Sequence, residues 1–105
     1  MNLKNVPPHL LDAARAIQVA AKHYAIMPQD VLSVDRNCTA SCRARYAVWT
    51  VLHKSKGWRL IDIASEFKMS SSGVGIGIQK GTMLIIDRNM KFFRCVEAVK
   101  ERINA

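Results

Sequence analysis

A chain of 105 residues, half of them hydrophobic, has room for one modest core and hardly for two domains. Its apolar runs are short and broken by charges, which excludes a membrane span, and the opening MNLKNVPPHLLDAAR offers neither an h-region nor a cleavage site. The net charge of +8 points to a polyanion as partner and is concentrated, since residues 36–59 carry Arg36, Arg43, Arg45, Lys54, Lys56 and Arg59 with no acid.

The first predicted element follows Pro7-Pro8, where Leu10, Leu11, Ala14, Ile17, Ala21 and Tyr24 recur at helical steps. Pro28 ends it, and IMPQDVLS allows one further turn anchored by Val31 and Leu32. RNCTASCRARYAVWTVLHKSKG predicts a second long helix, with Asn37, Thr39 and Ser41 as cap candidates and Gly57 as its stop. Arg43 and Arg45 in its first turns oppose the helix dipole, and an anion bound there would account for them. WRLIDIASEF reads as a short amphipathic helix with Leu60, Ile63, Ala64 and Phe67 on one side and Asp62 and Glu66 on the other. Beyond Thr82, Phe92, Phe93, Val96, Val99 and Ile103 predict a last helix over 87–104, with Asp87 as its cap candidate.

Between these lies FKMSSSGVGIGIQKGT, the segment hardest to place. A Walker loop would put the lysine after the last glycine, whereas here Lys80 precedes Gly81, and no G-x-G-x-x-G register closes, because residues 78 and 80 are Ile and Lys. Val74, Ile76 and Ile78 alternate with glycine as in a strand, yet nothing else in the chain reads as a strand to pair with it unless a second copy does. A helix is the remaining reading, although three glycines cost it about 3 kcal/mol against alanine. A short helix, a three-residue turn and a helix opening on small polar residues form the layout of a helix-turn-helix.

Four pieces in order carry a resemblance: HYAI, then DVLS followed by Arg36, then RARYAVWTVL, then LIDIASEF. From about Ile17 to Leu84 the chain resembles the C-terminal DNA-binding domain of the bacterial replication initiator DnaA, in the Trp-repressor-like helix-turn-helix group. The resemblance implies a single all-α domain of five to six helices over 1–105, with 17–84 as the family core and 87–104 as an added helix. It also implies that Arg36, Asn37, Arg43 and Arg45 meet the minor groove and phosphates. Where the family has G-R-D-H-S-T-V, this chain has Lys68-Met69-Ser70-Ser71-Ser72-Gly73-Val74, so the implied docking carries over while the family's charged base readers are replaced. No ATPase segment accompanies the domain, and free-standing versions resemble small phage or mobile-element proteins, or regulators.

The leading expectation is a duplex DNA binder serving transcription or replication. Arg36, Asn37, Arg43, Arg45, Lys56, Lys68 and Lys80 supply the backbone contacts, with Ser70, Ser71, Ser72 and Gln79 nearest the bases. The alternative is a protein-interaction module, or a homodimer, using the Gly/Val/Ile stretch. An enzyme is not expected, since His9, His23 and His53 lie on separate predicted segments and Asp62 and Glu66 read as a solvated helix face. Cys38, Cys42 and Cys95 are odd in number, which fits a reducing cytoplasm, and C-x3-C with His53 lacks a partner pair, so no metal or other cofactor is expected.

Overall fold

Six α-helices make up residues 8–32 and 38–104, the part of the chain that the computed structural model describes, and no strand occurs among them. They are α1 (Pro8–His23), α2 (Pro28–Leu32), α3 (Thr39–Lys54), α4 (Leu60–Phe67), α5 (Ser71–Ile86) and α6 (Met90–Asn104). The all-α expectation holds, and the glycine segment is a helix. Residues 33–37, and with them the expected contacts Arg36 and Asn37, lie outside the described residues.

The middle of the molecule is α3, which packs against α1, α5 and α6. Its buried positions Ser41, Ala44, Arg45, Val48, Thr50, Val51 and Leu52 leave little of the helix to solvent. Alanines at 13, 16 and 20 on α1 and at 44 and 47 on α3 are buried, and small side chains allow such backbones to approach closely. Trp49 fills the centre, edge-on to Phe67 of α4 with ring centroids 5.5 Å apart. Phe92, Cys95, Val96, Val99 and Ile103 give α6 one apolar stripe at helical spacing, as its sequence predicts. At its start α6 is tied to the end of α1. The His23 imidazole donates through Nε2 to the carbonyl oxygen of Lys91 at 3.0 Å, and the Lys91 ammonium stands 5.1 Å from the Tyr24 ring centroid.

Four helices stop in the same way. A left-handed residue follows one to three positions past the helix, at Ala25, Gly57, Lys68 and Arg88, and the next N–H reaches back to a carbonyl five residues earlier, or six at Trp58 after Gly57. Only Gly57 adopts that conformation without a steric cost.

Two cap expectations change. Cys38, rather than Asn37, Thr39 or Ser41, caps α3, its sulfur accepting from the Ser41 N–H. Asp87 ends α5 instead of starting α6, and Asn89 caps α6 through Oδ1, which accepts from the Phe92 N–H at 3.0 Å. The α6 cap moved because α5 runs on to Ile86, a full turn beyond the glycine stretch.

Candidate nucleic-acid interface

Leu60–Phe67, the turn Lys68-Met69-Ser70 and Ser71–Ile86 follow one another as helix, turn and helix. α4 is anchored by buried Ile63, Ala64 and Phe67. The turn reverses the chain at Lys68, whose φ of 54° is the left-handed value, while Met69 N–H closes onto the Ala64 carbonyl at 3.0 Å. Ser70 then caps α5, its hydroxyl oxygen accepting from the Gly73 N–H at 3.1 Å. Ser70 is thus committed to the helix start, and of the three serines Ser71 and Ser72 are the ones exposed without that duty.

The glycines of α5 have a different purpose from the one their alternation suggests. Gly73, Gly77 and Gly81 recur every four residues and so share one face, which lies against Ser70 and Met69 of the turn at Gly73 and against α3 at Gly77 and Gly81. A Cβ on Gly77 would lie 2.4 Å from the Trp49 ring, and one on Gly81 would lie 3.0 Å from Thr50 Oγ1. The close approach these glycines permit is to the core. Val74 and Ile78 are buried on the same side, so the expected flat Gly/Val/Ile surface does not form, and of its apolar members only Ile76 is exposed.

What α5 offers to solvent is the row Ser72, Ile76, Gln79, Met83 and Ile86, with Lys80 alongside. Ile76 and Met83 are each 53% exposed and Ile86 63%. Beside this row runs an open groove of about 510 Å³ lined by Arg43 and Tyr46 of α3 and by Ile76, Gln79, Lys80, Met83, Leu84 and Asp87. Tyr46, Met83 and Asp87 had no place in the sequence-based site, although the alternating four- and three-residue steps that align Ile76, Met83 and Ile86 are present in the sequence.

The basic residues do not form one surface. Because α3 is 16 residues long, Arg43 and Lys54 lie about 16 Å apart along it. Arg45 is 4% exposed and its guanidinium donates to Cys42 Sγ at 3.4 Å, so burial withdraws it from the expected phosphate contact. The cause is position, since residue 45 falls on the same stripe as Ser41, Ala44, Val48 and Leu52. Lys56, also expected on phosphates, is at the opposite end of α3, where it meets Asp12 at 3.8 Å. The depression beside it includes Asp62 and Glu66, which repel phosphate. Arg43 and Lys80 remain beside the solvent side of α5, lining the groove with Gln79, and exposed Lys68 stands in the turn next to the serines.

The other sequence candidates are occupied with structure. Cys38 and Cys42 sit at the start of α3 and His53 near its end, where the ring donates through Nδ1 to the Trp58 carbonyl at 2.8 Å. Among the described residues no three His, Cys, Asp or Glu side chains come together as a metal site would need. Asp62 accepts from Arg59 Nε at 3.0 Å. No described helix is long and apolar enough to cross a membrane. The chain matches no family model, no curated protein and no solved structure, so its functional reading rests on these residues and their geometry.

Proposed function

We propose that the protein binds duplex DNA through the α4–turn–α5 unit, with the first turn of α5 at the major groove and Lys68, Arg43 and Lys80 on phosphates. The observation that carries this reading is the turn itself. Lys68 occupies a left-handed position where glycine costs least, and this exposed cation precedes the exposed Ser71 and Ser72 by three and four residues, at the positive end of a helix dipole. Ala25 adopts the same conformation with no charge to present, so the support comes from the conjunction of lysine, serines and helix end rather than from φ alone.

With Arg45 and Lys56 withdrawn, three or four phosphates are neutralised rather than six, and the log–log salt slope of affinity is about −3 to −4. Ser71, Ser72 and Gln79 make few bidentate base contacts, so discrimination between sequences is modest. A salt series on a random duplex measures the slope, and selection from a duplex library measures the preference. A slope near zero would remove the proposal.

A second reading, a protein-interaction module, is favoured by one observation: Ile76, Met83 and Ile86 are all more than half exposed on the face that a DNA-reading helix would keep polar.

A further inference from the structure

Both faces of α5 are apolar. Inward it presents Val74, Gly77, Ile78 and Gly81, and outward Ile76, Met83 and Ile86. Exposed apolar residues aligned in this way, although Gln79 interrupts them, mark a surface that another molecule covers. The outward row also has a definite form, because steps of four and three residues from Ser72 to Ile86 make the straight seam into which a second helix inserts its side chains. The amphipathic stripe of α6 needs no such partner, being spent on the core.

Charge decides what covers the seam. Lys80 and Asp87 flank it seven residues apart, about 10 Å along one side of the helix, and neither side chain has an ion-pair or hydrogen-bond partner among the described residues. A surface with plus at one end, minus at the other and apolar groups between is complementary to itself under a two-fold rotation. Running a second α5 antiparallel about an axis beside Met83 and Leu84 brings each Lys80 against the Asp87 of the other copy. The same rotation brings the two Met83 side chains, beside Leu84, together at the axis. The groove beside the row, lined by Tyr46, Met83 and Leu84, receives the side chains of the second helix.

We infer that residues 76–87 of α5 form a two-fold contact between two copies of this chain, closed by reciprocal Lys80–Asp87 pairs. The contact rests on the exposed face of α5 and engages the Lys80 that the DNA reading places on phosphate, so the two are alternative uses of that side chain and the contact is tested without DNA. The seam spans only about three turns and the chain carries +8, so the dimer is weak and its formation depends on concentration.

The experiment is sedimentation equilibrium of the full chain across the micromolar range, beside four variants. Lys80→Asp and Asp87→Lys each weaken association at least tenfold, and the double exchange restores it to within about threefold, because like charges meet in each single variant and opposite charges in the double. Gln79→Leu, which completes the apolar seam, tightens it several-fold. All three positions are exposed, and melting curves verify that each variant keeps its fold. A chain that stays monomeric throughout, or a double exchange no better than the singles, overturns the inference. So does assembly that none of the variants alters.

Discussion

Gly77 and Gly75 are two residues apart in one helix and are expected to respond oppositely to the same change. At Gly77 an added methyl collides with the Trp49 ring, so Gly77→Ala should destabilise by about 1–3 kcal/mol, the usual range for overpacking a core. At Gly75 the nearest atom to an added Cβ is Leu60 Cδ1 at 3.6 Å, an ordinary contact, and Gly75→Ala should stabilise by about 0.5–1 kcal/mol through helix propensity. Urea midpoints for the two variants check both signs. The sequence shows these glycines plainly, but alternation at two-residue steps hides the four-residue repeat that matters in a helix. Two buried acids give a second prediction at this scale. Burial pushes Cys95 from 9.0 up to about 12 and Tyr24 from 10.0 up to about 12, and the Tyr24 hydroxyl has no hydrogen-bond partner. Both stay protonated in the fold where the unfolded chain has begun to release its protons. Their contribution to stability is therefore complete below pH 9 and lost as the pH rises from about 9 to 12, with Tyr24 joining above about 10. The measurement is Tm against pH, in which Cys95→Ala removes the part that begins near pH 9.

At the scale of the element, the turn between α4 and α5 sets fold and proposed function against each other. Lys68→Gly should relieve the left-handed strain and stabilise the protein by about 1 kcal/mol, while removing one phosphate contact and making the salt slope shallower by about 0.9. Melting curves and a salt-series binding assay on the same variant read the two effects separately. A gain in stability with unchanged DNA affinity would take Lys68 out of the interface. The helices themselves were legible from sequence, because α1, α3, α4 and α6 each carry an apolar stripe at a 3.6-residue period, and proline or glycine punctuates the first three. The end of α5 was not, because its outward isoleucines and methionine blur the period. A reader seeking one apolar face finds two.

For the whole molecule, the concentration of bases in residues 36–59 was a true reading of composition and an incomplete reading of space. A helix converts neighbours in sequence into opposite ends of a rod, and a core stripe took Arg45 out of solvent altogether. DNA affinity should therefore drop on Lys80→Ala, with the salt slope shallower by about 0.9, while Lys56→Ala leaves both unchanged. Lys56→Ala loses only the 3.8 Å pair to Asp12, whose side chains are 29% and 21% exposed, and about 0–1 kcal/mol of stability is the ordinary cost of such a pair. Fluorescence anisotropy of a labelled duplex distinguishes the two variants.

The contact between Gly77 and Trp49 also makes the molecule report on itself. An indole sealed by a helix with no side chain at that point emits as in an apolar solvent, and its emission moves to the red when water reaches the ring. Trp49 is 2% exposed, whereas Trp58, the other tryptophan, is only half-buried and lies outside the α3–α5 seam. With Trp58 replaced by Phe, one intrinsic signal remains, set where the glycine face of α5 meets the core. Any partner that levers α5 away from α3 would announce itself as a change of colour, without a label.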